Sequence, residues 1–172
     1  MTVSNVFAFD IETVPDVELG RRLHGLEGLS DKQVGYVMQT RQREQTGSEF
    51  LSLEQQRVVA ISVALRTHEG FHARSLGEPD STEAELVRLF FDAIERYSPT
   101  LVSWNGSGFD LPVLHYRAMR HRVQAHRYWE TGDEEQSFRW NNYLGRFHWR
   151  HVDLMDVLAG YQGRGRVGLD RM

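Results

Sequence analysis

Three β-prone runs precede the first helical one, and two further strands follow, each behind a helix. That order leaves a chain of this length few architectures. Val3 to Phe9 is apolar and closes on Asp10-Ile11-Glu12. Arg57 to Arg66 (RVVAISVALR) is a strong strand pattern, and Gly70 to Leu76 suits a hairpin partner. Thr82 and Glu85 make a capping box. Behind it Leu86, Val87, Phe90, Phe91, Ile94 and Tyr97 share one helical stripe, and Ser98-Pro99 stops it. Thr100 to Trp104 reads as a short strand, Asn105-Gly106-Ser107-Gly108 as a turn, and Phe109 to Arg122 as a helix that tolerates Pro112 near its first turn. His151 to Leu154 is a last short strand. The first three strands can meander antiparallel, whereas the later ones need helical crossovers and pair in parallel. The expected fold is α/β, a mixed sheet with helices packed on it.

The remaining segments are less regular. Residues 16–50 are polar and dotted with glycine, with room for a short helix such as Asp31 to Gln42. They read as an elaboration on one domain spanning residues 1–172. Residues 123–146 are irregular and rich in aromatics, Gly160 to Gly168 is a Gly/Arg loop, and Leu169 to Met172 reads as the opening of another helix. The residues are 40% hydrophobic and 26% charged, which suits a soluble globular chain and argues against disorder. No apolar run is long enough to span a bilayer. Met1 to Phe9 shows no basic region and no small-residue cleavage site. Cysteine is absent, which excludes disulfides and argues against a thiolate zinc site, so a cytoplasmic location is expected.

The net charge is −4, but it is unevenly spread. Residues 1–110 hold 10 Lys/Arg against 17 Asp/Glu, and residues 111–172 hold 10 Arg against 7 Asp/Glu. A solvated arginine face explains this, and so does a carboxylate cluster beside a basic surface. Lys32 is the single lysine, so nearly every cation is a guanidinium fork, the shape that suits phosphate.

Asp10 and Glu12 stand two apart on a strand, so both carboxylates project from one face. Two like charges after an apolar run are costly unless a cation neutralises them, and hard oxygen ligands suit Mg²⁺ or Mn²⁺. A polar strand end at the sheet edge is the plainer account of that pair. Asp110 adds a third acid at a strand-to-helix corner, where a carboxylate points over the end of the sheet. Helix capping is its plainer role.

Two stretches carry a family resemblance. Phe9-Asp10-Ile11-Glu12-Thr13 resembles the first exonuclease motif of the DEDD superfamily, and Asn105-Gly106-Ser107-Gly108-Phe109-Asp110-Leu111-Pro112-Val113-Leu114 resembles the second. Pro112 and the approach through Val102-Ser103-Trp104 are similar to predicted exonucleases related to the proofreading domain of B-family DNA polymerases. Arg57 to Leu65 and His151-Val152-Asp153-Leu154-Met155-Asp156 are similar to the same family. The resemblance implies a ribonuclease H-like fold and a 3′→5′ exonuclease, hydrolysing the terminal phosphodiester of a single-stranded nucleic acid, DNA before RNA. It implies that Asp10, Glu12 and Asp110 are catalytic and hold two Mg²⁺ or Mn²⁺ ions about 3.5–4 Å apart, with Asp10 bridging them. Thr13, Asn105 and Phe109 become candidates to contact the terminal nucleotide.

The family also carries a third motif, a Tyr or His followed by a fourth Asp on a later helix. No match stands after Asp110 in a suitable context, since Asp153 and Asp156 fall on the last strand and its exit, before the expected helix, and the reading at this stage is a domain truncated at its C-terminus. Low nuclease activity is then expected, as is self-association through sheet surface left uncovered. A non-catalytic nucleic-acid-binding or interaction module with the same fold is the alternative. Asp153 and Asp156 fit sheet-end polar groups or caps. Gly163-Arg164-Gly165-Arg166-Val167-Gly168 lacks the strand that a dinucleotide fingerprint needs and reads as a mobile basic loop. Trp104, Trp129, Trp140 and Trp149 could stack bases, although the core is the usual place for an indole.

Overall fold

The computed structural model describes residues 5–172, so Val3 and Ser4 of the expected first strand lie outside the described residues. Five strands form one sheet: β1 (Val6–Pro15), β2 (Gln56–Thr67), β3 (Gly70–Ser75), β4 (Thr100–Ser103) and β5 (His151–Asp153), in the order β3-β2-β1-β4-β5. β1, β2 and β3 pair antiparallel, while β4 pairs parallel to both β1 and β5. This is the mixed, ribonuclease H-like arrangement, with β2 alone running against the rest. The sequence ended the first strand at its two acids. In the structure β1 runs on to Pro15, because β2 continues opposite it to Gln56 across an irregularity between Glu12 and Thr13.

Alternation on β1 sets the two faces of the sheet. Phe7, Phe9 and Ile11 are buried, and Asp10 and Glu12 between and beyond them are exposed. The buried face receives α3 (Glu83–Tyr97) and α4 (Asp110–His121). Phe90 of α3 meets Phe7 and Phe9 with ring centroids 5.8 and 5.0 Å apart, and Leu111, Val113 and Leu114 of α4 join the same core. The capping box forms as the sequence implied: the Thr82 hydroxyl accepts from the Glu85 amide, and Glu85 accepts from the Thr82 amide at 2.7 Å. The opposite face is small and polar, with Ser62, Arg66, Ala73 and Ser75 exposed around Asp10 and Glu12 and Phe71 as its large apolar group.

Residues 16–50 hold two helices, α1 (Val17–His24) and α2 (Asp31–Thr46). They pack on each other through a separate small cluster of Val34, Met38 and Leu51. Gly20 is where they touch, since a Cβ there would come within 2.3 Å of Met38 Sδ. The irregular stretch after α4 contains a short α5 (His126–Trp129), and α6 (Leu154–Leu158) follows β5 directly. Among the described residues no helix is long and apolar enough to cross a membrane.

Candidate carboxylate site

The site is built where β1 outruns its neighbour. β4 pairs with β1 over Val6 to Ala8 and stops at Ser103, so further along β1 the amides on that side need another partner. Asp110, the first residue of α4, supplies one: its Oδ1 accepts from Ile11 N–H at 3.2 Å. The helix it begins has no side-chain cap at Phe109, so Asp110 does not play the capping role. Its side chain is buried, and its carboxyl is pushed up to about 6. Burial is the largest cause, the negative charge of Asp10 the next, and Asp153 adds to it against the bond from Ile11.

Asp110 thus stands on the amide of Ile11, with Asp10 and Glu12 on either side of that residue along β1 and on one face of it. Among the described residues no three of His, Cys, Asp and Glu stand together closely enough to hold one ion. The donor chemistry nevertheless suits a hard divalent cation. Asp110 is held by Ile11 N–H, while Asp10 and Glu12 are exposed on β1 to either side of that amide. A cation between them would offset the repulsion that raises Asp110.

The corner leading to Asp110 is held by Asp153. Its Oδ1 accepts from Asn105 N–H at 2.9 Å and Met155 N–H at 3.1 Å, and its Oδ2 from Ser107 N–H at 3.0 Å. One carboxylate so caps α6 and ties the 105–107 turn across the parallel β4/β5 register, in which Ser103 lies opposite Asp153. Asp153→Ala leaves three amides without an acceptor and is expected to cost about 3 kcal/mol, measured by urea unfolding; a cost near zero would show that the turn holds itself.

The nucleotide-contact candidates have structural duties. The Thr13 hydroxyl donates to Gln56 Oε1 at 3.0 Å. Asn105 adopts φ 60°, a left-handed conformation that asparagine tolerates, and its carbonyl accepts from Gly108 and Phe109. Its side chain lies so near Gly108 that a Cβ there would come within 2.6 Å of Asn105 Oδ1. Phe109 is half-buried against Phe50, ring centroids 5.4 Å apart.

Three features lay beyond sequence reasoning. Arg117 of α4 is fully buried, donating from Nε to Glu83 Oε1 and from Nη1 to Asp16 Oδ2, both at 2.7 Å, and from Nη2 to Glu83 as well. Asp156 is a buried acceptor for Arg146 at 2.7 Å and Arg166 at 2.5 Å. Trp104, next to the 105–108 turn, donates its indole N–H to Val167 O at 3.1 Å, which pins the Gly/Arg segment there. None of the three gives a local sequence signal: Arg117 and Trp104 join residues far along the chain, and the two arginines on Asp156 lie ten residues to either side, outside any helical or strand spacing. Beside the corner lies a cavity of about 310 Å³, lined by Ser107, Leu111, Pro112 and His115 on one side and by Leu144, Gly145 and Arg146 on the other. Burial pulls His115, and also His151 at its floor, down to about 4, so both are neutral near pH 7.

Residues 48–172 match a family described as predicted 3′-5′ exonuclease related to the exonuclease domain of PolB. The matched stretch contains Asp110 and begins after Asp10 and Glu12. DNA polymerase 1 from Sulfurisphaera ohwakuensis is 44% identical over 43 residues, 25% of this chain and 5% of that polymerase. The structure of the family B DNA polymerase from the hyperthermophilic archaeon Pyrobaculum calidifontis aligns with a TM-score of 0.42 at 20% identity, over 72% of this chain and 12% of the polymerase. The chain thus spans a small part of either protein's length.

Proposed function

Because the chain belongs to the family of predicted 3′-5′ exonucleases related to the exonuclease domain of PolB, we propose that it is a metal-dependent 3′→5′ exonuclease domain acting on single-stranded ends, DNA in the first instance. The observation that carries this reading is the placement of Asp110, buried at a helix start with its Oδ1 on the amide of Ile11, the residue between Asp10 and Glu12. Asp10, Glu12 and Asp110 would hold Mg²⁺ or Mn²⁺. Such ions lower the pKa of an attacking water and stabilise the leaving oxygen. Asp110 supplies an anchor, buttressed by Ile11 N–H, while Asp10 and Glu12 supply the exposed carboxylates to either side of that amide. Thr13, Asn105 and Phe109 flank these acids in sequence and would border the terminal nucleotide.

His148 and His151 each stand five residues before an acid, but Asp153 accepts from three backbone amides and Asp156 is paired with Arg146 and Arg166, so neither acid is open to an ion and turnover by residues 1–172 is expected to be slow. Metal binding is therefore the sharper test. Titration calorimetry with Mn²⁺ should show saturable binding to the native chain and none to Asp10→Asn or Asp110→Asn. Native protein that takes up no Mn²⁺ but retains labelled single-stranded DNA would replace this reading with the non-catalytic binding module.

A further inference from the structure

We propose that the loop of residues 138–150 is a stacking platform for single-stranded nucleic acid. Its position relative to a 3′ end rests on the exonuclease reading; the surface itself does not.

Three large aromatics on this loop face water. Trp140 is 81% exposed, Phe147 68% and Trp149 67%. Isolated apolar side chains at a surface are ordinary, but three on one short loop are not. The loop is also rigid. Asn141 Oδ1 accepts from Trp149 N–H at 2.9 Å and Arg150 N–H at 3.1 Å, which sets the two tryptophan-bearing segments side by side. Asn142 Oδ1 accepts from Leu144 and Gly145, and the Asn142 amide donates to His148 Nδ1. Aromatics held on such a frame lose little further freedom when a base stacks on them.

Charge selects the partner. Residues 138–152 contain three arginines and no Asp or Glu. Each exposed aromatic has an arginine as its sequence neighbour. Arg139 lies over Trp140, 5.8 Å from the ring centroid, and Arg146 over Phe147 at 5.7 Å. Arg150 stacks on Phe138 at 3.6 Å while its Nε donates to Asn141 O. Arg146 is shared with Arg166 on the single carboxylate of Asp156, and among the described residues neither Arg139 nor Arg150 forms an ion pair. Four acids lie just upstream, Glu130, Asp133, Glu134 and Glu135; Glu135 is tied to Arg127 and Ser137, and Glu130 accepts from the Gly132 and Glu134 amides. Alternating ring and guanidinium gives a base something to stack on and its phosphate a donor beside it. A second copy of this chain would present the same positive loop and be repelled, and a protein partner's interface core is usually depleted of charge.

The loop also borders a cavity beside the corner that leads to Asp110. Leu144, Gly145 and Arg146 line the same cavity as Ser107, Leu111 and Pro112, the residues around the corner that starts with Asp110. A strand whose 3′ end lies at Asp10 and Asp110 would leave along this cavity onto the platform.

The test is fluorescence anisotropy with labelled oligo(dT) and oligo(U), in EDTA and low salt, together with quenching of tryptophan emission. Both oligonucleotides should bind without metal and quench the emission, and a preference between them identifies the source of the strand. Trp140→Ala and Trp149→Ala should each weaken binding roughly ten-fold while the circular dichroism spectrum stays native. Arg139→Gln and Arg150→Gln should each flatten the log–log salt dependence by about 0.7. Tryptophan variants that bind as tightly as the native chain overturn the platform. So does light scattering in which the native chain self-associates and those variants do not, because the patch then belongs to a second copy. Oligonucleotide binding in a chain that takes up no Mn²⁺ leaves the platform standing and removes the exonuclease reading alone.

Discussion

Asp110→Asn is expected to make the protein more stable at pH 7.5 in EDTA while abolishing its uptake of Mn²⁺. The folded Asp110 carboxyl titrates near 6 against an ordinary 3.8, so the folded chain holds this proton more tightly than the unfolded one. Stability consequently falls as pH rises from about 4 to about 6 and stays depressed above that range. The difference corresponds to at most about 3 kcal/mol once the carboxylate is fully ionised. Asparagine keeps an oxygen to accept from Ile11 N–H and removes the charge that faces Asp10. The variant should therefore melt roughly 5–10 °C higher than the native chain at pH 7.5 and little differently at pH 4. Metal works in the opposite sense. Saturating Mn²⁺ should raise the native melting temperature and leave the variant unmoved. An Asp110→Asn protein less stable than native at pH 7.5 would show that the carboxylate is already satisfied and is no cation anchor.

Much of this was legible from the chain, and the limits are physical. The order of strands and helices follows from local signals: the alternation in Arg57 to Arg66, the Thr82/Glu85 box, and the Gly-rich turn before Phe109. The projection of Asp10 and Glu12 from one face is a consequence of strand periodicity, and the structure shows both on the exposed side of β1. α1 escaped notice although its signals are present: Asp16 accepts from Leu19 N–H as its cap and Gly25 closes it with φ 62°. Glycine and charge nearby masked them. The end of β1 was misjudged because strand length is set by the partner, and β2 stays opposite as far as Pro15. Asp153 shows a different limit. A cap at a strand end could be read from its position, but its reach to Asn105 and Ser107 depends on the register of β4 and β5, which no single segment encodes.

Arg117→Met should be among the most destabilising single changes available, at about 3–5 kcal/mol in urea unfolding. The native guanidinium is fully buried, and burial alone would pull its pKa down; the bonds and charges of Glu83 and Asp16 override this and hold it above its usual value. Methionine fills similar space but strands two carboxylates. Glu83 would keep Val58 N–H at 2.7 Å and His121 at 2.8 Å, and Asp16 would keep Leu19 N–H and the more distant Arg120 at 3.9 Å. Removing the acids as well should restore part of the loss, so Arg117→Met with Glu83→Gln and Asp16→Asn should be more stable than Arg117→Met alone. Acid titration supplies the sign. Burial raises the Asp16 carboxyl, but the Leu19 amide and Arg117 outweigh it and leave its pKa below 3.8. Its contribution is present above that value and lost as pH falls through the lower folded pKa, opposite in sense to Asp110. The two effects meet in one place. Arg117 ties α4 to the exit of β1 at Asp16, and Asp110 ties the start of the same helix to Ile11, so the strand with the exposed acids and the helix with the buried one are fastened at both ends. Cutting the Arg117 tie should accordingly speed hydrogen exchange at the Ile11 amide beyond what the global loss of stability accounts for. Exchange that tracks global unfolding alone would mean the two fastenings act independently.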